Sequence, residues 1–303
     1  MISIKSIFIS ALRNVFLNLK FVTLFWITNL TIAFALTLPL FSALNDNLKF
    51  SSISQTLVGN FDLIWLIQFR NIYQTSLDAF PPLLIAFAIL YIFIQIFYQG
   101  GLISIFINNK KNHTVDFFFG AVKYFYRFFK VSLVMFFFYF IAVSFNTLMH
   151  YAIDVIFVDS NNQMLIFIFD TIRFMIFLFL MIVINVISDY TKINIVVNDS
   201  SIAIRAIMRT IIFIKNNIVL ILIVYLSLTI IVIIFGILYN FLEAELPSST
   251  LTFLFVTFLF QQVLIIFRII FRMLFYATGV ALYVDASAEV IEATTEDVNL
   301  GVK

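Results

Sequence analysis

Residues Ser201–Leu220 read SIAIRAIMRTIIFIKNNIVL, with Arg205, Arg209, Lys215 and Asn216 threaded through otherwise apolar residues. At about 100° per residue, Asn198, Ser201, Arg205, Arg209 and Asn216 fall within a stripe of roughly 80°. A helix of this kind wants one face in hydrocarbon and the other in water. The stretch therefore predicts an element lying along a membrane surface, directly before the chain dives into the bilayer. Two further basic segments, each followed by an apolar run, repeat the arrangement.

The composition makes lipid the solvent for most of the chain. Of 303 residues, 63% are hydrophobic and 11% charged, and the mean hydropathy is +1.10. Ordinary soluble domains carry about 25% charged residues. A soluble fold of this length could not bury so much apolar surface. The net charge of +2 says little as a sum; what informs is where the charges stand. With no cysteine, disulfides, thiolate metal sites and cysteine nucleophiles are excluded, and two histidines leave little scope for histidine-based metal chemistry. The apolar run Phe21–Leu44 exceeds the ~7–15 residues of a signal-peptide core and reads as a retained anchor.

Six runs meet the ~20 residues a membrane crossing needs: Phe21–Leu44, Phe80–Ile107, Val131–Ile153, Met164–Ser188, Ile218–Leu242 and Thr250–Tyr283. They are too long for strands and lack the alternation of a barrel wall, so the predicted fold is an all-α polytopic bundle. Lysine and arginine then orient it. Lys5, Arg13 and Lys20 precede the first span; Lys110, Lys111, Lys123, Arg127 and Lys130 lie in the second loop; Lys192, Arg205, Arg209 and Lys215 lie in the fourth. The first loop has only Lys49 and Arg70, and the third and fifth loops carry Asp154, Asp159, Glu243 and Glu245 with no basic residue. This alternation predicts both termini in the cytoplasm.

Ala11 to Lys20, Ala121 to Lys130 and Ala206 to Lys215 each span nine residues, with Arg13, Lys123 and Arg209 shortly after the alanine. The transmembrane domain, residues 1–283, can thus be read as three units, about 1–108, 109–188 and 189–283, each a basic surface helix followed by a helical hairpin. The competing reading is chance: cytoplasmic amphipathic anchors look alike, and apolar low-complexity sequence aligns easily. Residues 284–303 form an acidic cytoplasmic tail, expected as a short helical extension that frays. In the first outer loop, Phe61–Tyr73 predicts a helix on the outer face or a re-entrant lid. Pro81–Pro82 opens the second span, where missing amide protons cost little.

Candidate intramembrane polar residues are Asp170, Arg173, Gln95, Gln99, Asn146, Gln261 and Gln262. Asp170 and Arg173 share a helix face roughly 9 and 14 Å from the outer end of their span, at 1.5 Å per residue. They form either a functional site or a self-neutralising pair that pins packing. The amides either line a wet, inward-facing groove or hydrogen-bond neighbouring helices. Lys123, Arg127, Arg205, Arg209, Arg268 and Arg272 form a candidate collar at the cytoplasmic face, suited to anionic lipid headgroups. His150 has only Asp154 one turn on, which reads as an interfacial side chain rather than a metal ligand. Gly100–Gly101 predict close helix approach or a bend. No Walker loop, dinucleotide glycine pattern, HExxH or nucleophile elbow occurs. We therefore assign no catalytic residue, cofactor, metal or nucleic-acid partner from the sequence.

The segments DFFFGAVKYFYRFFK (Asp116–Lys130), DYTKINIVVNDSSIAIRAIMRTIIFIKNN (Asp189–Asn217) and RIIFRMLFYATGVALY (Arg268–Tyr283) carry a resemblance. In hydropathy layout most of the chain resembles bacterial six-helix integral membrane proteins akin to the membrane domain found beside glycerophosphodiester phosphodiesterases. The resemblance implies a bacterial cytoplasmic-membrane protein. It does not imply hydrolysis, because that chemistry resides in a separate soluble barrel whose metal-binding acidic and histidine residues have no match here. The expected function is a non-enzymatic transport or lipid-handling component. The alternatives are a structural or assembly protein, recruiting partners through its outer loop or tail, and a membrane enzyme acting on lipid.

Overall fold

In a computed structural model, residues 4–49, 51, 62–74, 78, 80–108, 113–158, 162–245 and 251–300 are described, with backbone alone for residues 244, 251 and 288–300. Lys110, Lys111, Asp159 and Phe61 lie outside the described residues. Within them the secondary structure is all helical: α1 (Ile4–Leu17), α2 (Leu19–Leu48), α3 (Leu63–Ile72), α4 (Phe80–Asn108), α5 (Thr114–Ile156), α6 (Gln163–Val197), α7 (Ala203–Asn216), α8 (Ile218–Ala244) and α9 (Leu251–Leu300). Six of these, α2, α4, α5, α6, α8 and α9, are long and apolar enough to cross a bilayer. The chain is a multi-pass membrane protein. Large apolar side chains such as Phe136, Phe140, Phe167 and Ile234 are exposed along these helices, as hydrocarbon as solvent allows.

Packing sorts the chain into two compact units. One comprises Met1–Ala11, Ile96–Ile223 and Tyr276–Lys303; the other comprises Leu12–Gln95 and Val224–Phe275.

The first unit holds most of the fully buried residues, and its core is built from the ends of α4 and α6 and the middle of α9. Gln99–Phe106 of α4, Tyr190–Val196 of α6 and Tyr276–Val280 of α9 are buried throughout. A helix end covered on every side must be apolar or have its polar groups satisfied. Gln99, Ser104, Thr191, Lys192, Asn194 and Thr278 are the polar members of this core. The helix that holds the expected span Met164–Ser188 runs further: α6 continues to Val197, so Lys192 is buried in a helix and not in an open loop. Nothing between Asp189 and Val197 breaks a helix, since the stretch lacks glycine and proline.

Glycines set the closest approach in this unit. A Cβ on Gly101 would lie 2.6 Å from the Phe117 ring and 2.8 Å from its carbonyl oxygen; one on Gly120 would lie 2.5 Å from Ser104 Cβ. Helices α4 and α5 thus touch backbone to backbone, which is the close approach expected of Gly100–Gly101.

The three pre-span segments differ in how they enter their spans. The α1–α2 junction breaks at Asn18 (φ −121°, ψ 26°), and the α7–α8 junction breaks at Asn217 with nearly the same dihedrals (φ −119°, ψ 23°). In both, the asparagine side-chain amide donates to the carbonyl four residues back, Asn14 at 2.8 Å and Phe213 at 3.1 Å. The bond accompanies both breaks without being sufficient for one, since Asn240 makes the same bond to the Gly236 carbonyl (3.0 Å) inside unbroken α8. Helix α5 has no such asparagine and runs unbroken from Thr114 to Ile156, where a surface helix followed by a separate span was predicted. The two breaks follow the fully buried Ala11 and Thr210 by seven residues; Phe128 stands seven residues after the equally buried Ala121. Matched on the breaks, the third segment sits four residues out of step with the alanine-to-lysine spacing.

Asp62 caps α3, its carboxylate accepting from the amides of Ile64 (2.8 Å) and Trp65 (3.2 Å). Trp65, Phe69 and Tyr73 stack at successive turns along it. Helix α9 continues through the acidic tail to Leu300, and the first glycine after Gly279 is Gly301.

Candidate functional site

In the first unit, α5 and α6 run antiparallel and bring polar side chains together. Asp170 and Arg173, one turn apart on α6, approach to 3.1 Å, and His150 of α5 reaches both Asp170 (3.6 Å) and Asp154 (3.8 Å). The ion pair is close but poorly aligned: Asp170 Oδ1 and Arg173 Nε have no hydrogen-bond partner among the described residues. Asn146, one turn before His150, likewise has a buried Oδ1 without a partner. From the sequence, His150 had only Asp154 for company; Asp170 comes from the facing helix, invisible to spacing along one chain segment. Further along the same pair of helices the Tyr139 hydroxyl donates to Asn185 Oδ1 at 2.7 Å. Gln99 is buried at the end of α4 with its Oε1 unpartnered among the described residues.

Gln95, Gln261 and Gln262 belong to the second unit. There Gln262 Oε1 accepts from Trp26 Nε1 at 2.9 Å. Gln95 is half-buried on α4. Trp26, Asn29, Phe34, Phe258 and Gln262 line a groove of about 200 Å³ between α2 and α9, nearly all apolar, and Asn29 Oδ1 lacks a partner among the described residues. Trp26 was not among the sequence candidates; an indole N–H needs an acceptor when buried, and that need was the available signal.

The six basic candidates are also divided. Lys123, Arg127, Arg205 and Arg209 fall in the first unit; Arg268 and Arg272, exposed on α9, fall in the second. Lys123 Nζ and Arg127 NH1 converge on one carboxylate, that of Asp199, at 3.2 and 2.6 Å, and Arg127 also donates to the Ser200 carbonyl at 3.3 Å. These hydrogen bonds, Arg127's first and Lys123's second, hold the Asp199 carboxyl below the usual carboxylate range. Arg205 and Arg209 are exposed on α7.

Asp199 has a φ of 46°, the one non-glycine residue in the left-handed region among those described. It follows Asn198, the C-cap of α6, and the Ser200 amide donates back to the Ile195 carbonyl at 3.2 Å. This is the six-to-one bond of a Schellman turn, whose left-handed position usually takes glycine. An aspartate there accepts some backbone strain and places a carboxylate where a glycine would place nothing. Asn198, from the predicted polar stripe, instead bonds Asn194 and the Tyr283 hydroxyl.

Three helices share one pattern of faces. On α1, Ile7 and Ala11 are buried, Ile9, Leu12 and Phe16 are exposed, and Ser6, Ser10 and Arg13 line a third, polar face. On the first turns of α5, Phe117 and Ala121 are buried, Phe119, Val122 and Tyr126 are exposed, and Lys123, Arg127 and Lys130 form the third face. On α7, Ala206 and Thr210 are buried, Ile204, Met208 and Ile211 are exposed, and Arg205, Arg209 and Asn216 complete it. Turning about each axis, the faces come in the same order.

Among the described residues no group of three or more His, Cys, Asp or Glu is placed to hold a metal ion. The chain matches no protein-family model, no curated protein and no solved structure.

Proposed function

We propose that this chain is a non-enzymatic lipid-handling or transport component of the bacterial cytoplasmic membrane, both termini inside, whose basic helices grip anionic headgroups. The observation that carries the reading is the three-faced build of α1, the start of α5, and α7. A helix within a protein needs two faces, one for the core and one for water. A third face, apolar and exposed beside a cationic one, fits a helix lying at the level of lipid headgroups, its apolar side dipped toward the acyl chains. The shared order of faces also supports a threefold build, with α5 as the unit that lost its break, and kinship with the phosphodiesterase-associated membrane domains belongs to the same proposal. The intramembrane amides and the α2–α9 groove supply polar and apolar surface for a lipid.

The experiment is a thermal-shift series on the purified chain with phosphatidylglycerol, phosphatidylcholine and a panel of small solutes. The reading expects stabilisation by phosphatidylglycerol over phosphatidylcholine, reduced in R205Q/R209Q. Equal response to both lipids would contradict it.

A second reading is favoured by α3, where Leu63, Ile64, Ile67 and Ile72 are all exposed. In that reading the chain is an assembly protein that presents α3 to a partner on the outer face, and deletion of α3 would abolish partner capture and leave lipid stabilisation intact.

A further inference from the structure

We propose that Asp199 is a built-in competitor for headgroup phosphate at the Lys123–Arg127 fork, so that an anionic lipid and the α6–α7 turn exclude one another from the same two cations. The inference rests on the lipid reading above and adds its regulation.

Lys123 and Arg127 are one turn apart on the polar face of α5, and both point at a single pair of carboxylate oxygens. A carboxylate and a phosphate diester each present two anionic oxygens on one centre, so two cations spaced for one can take the other. The fork is flanked on its own helix by the exposed apolar residues Phe119, Val122 and Tyr126. That flank favours an anion carried on a lipid over one free in solution, because the acyl chains of a lipid have apolar surface beside them.

The bond to Asp199 is suited to exchange. The Asp199 side chain is 57% exposed, and those of Lys123 and Arg127 are 35% and 24% exposed. Ion pairs so open to solvent contribute little net stability, so a ligand of modest affinity can displace the carboxylate. Four residues after Asp199 α7 begins, carrying Arg205 and Arg209. The turn therefore links the fork to the segment that leads into the next basic face, while α7 itself is packed through Ala206 and Thr210.

The test uses the full chain in detergent, titrated separately with short-chain phosphatidylglycerol, short-chain phosphatidylcholine and inorganic phosphate. Asp199→Asn and Asp199→Gly both tolerate a left-handed backbone, so both keep the turn while removing the competitor. The expected result is a roughly twofold to fivefold gain in phosphatidylglycerol affinity for both variants, the range an exposed ion pair supplies. Phosphatidylcholine and phosphate binding should stay as in wild type, and K123Q/R127Q in the D199N background should erase the gain. If D199N and D199G bind phosphatidylglycerol as wild type does, while wild type still prefers it to phosphatidylcholine, the competitor is wrong and the lipid reading stands. If no variant prefers phosphatidylglycerol, both fall. If inorganic phosphate gains as much as the lipid, the fork serves a soluble anion and the assignment to lipid is overturned.

Discussion

Gly101 and Gly236 both sit inside apolar helices, yet only one has anything near it. A Cβ at Gly101 meets the Phe117 carbonyl oxygen at 2.8 Å, whereas one at Gly236 meets nothing within 4 Å. G101A should therefore destabilise the purified chain by about 1–3 kcal/mol, as overpacking does. G236A should be neutral or stabilise by up to about 1 kcal/mol through helix propensity. Melting curves in detergent check both, and equal effects would deny the close approach of α4 and α5. Asp199 makes a second prediction at this scale. A carboxyl whose folded pKa is depressed stabilises the fold above its unfolded pKa, and the contribution is lost as pH falls through the folded value. The stability gap between wild type and D199N should thus be present near pH 7 and close below about pH 4. Since the group is mostly exposed, the gap should stay under about 1 kcal/mol. A gap that widens in acid would contradict the fork. Gly100–Gly101 was legible because adjacent glycines in a span have few other uses. Asp199 was not, because its partners lie 76 and 72 residues away and a left-handed aspartate leaves no mark in the sequence.

Among elements, α5 contrasts with the α1–α2 and α7–α8 pairs. Asn18 and Asn217 stand at the two breaks and Phe128 at the matching unbroken position, whereas Asn240 makes the same bond to the Gly236 carbonyl inside unbroken α8, so the bond alone does not break a helix. Asn217→Ala should let α7 run straight into α8. Spin labels at Met208 and Ser227, on a chain with no native cysteine, should then report a longer distance than in the asparagine parent. An unchanged distance would mean that packing, not Asn217, sets the break. The same comparison shows what sequence could reveal about elements. The spans were legible because hydrocarbon demands about 20 apolar residues whatever the tertiary packing. The ends were less so. The tail of α6 is buried with Lys192, Asn194 and Thr191 inside it, and a polar composition of that kind reads as a loop until its neighbours are known. The nine-residue alanine-to-lysine spacing marks three segments, and composition alone gave it no reason to prefer Ala206 over Thr210 as the residue seven before a break.

For the molecule as a whole, the proposal depends on α1, the start of α5, and α7 meeting the same membrane surface, since only then can their cationic faces act on one leaflet. The polar candidates do not make that case: they divide between two units, and each unit satisfies some of its amides locally, Gln262 with Trp26 and Asn185 with Tyr139. The direct measurement is sidedness. Single cysteines at Ser10, Val115 and Asn216, and at Asp78, Val158 and Glu243, can be placed in the cysteine-free chain and probed in intact cells with a membrane-impermeant thiol reagent. The account predicts that the first three are protected until the membrane is opened, while the last three react at once. Labelling of Val115 and Asn216 from opposite sides would contradict it.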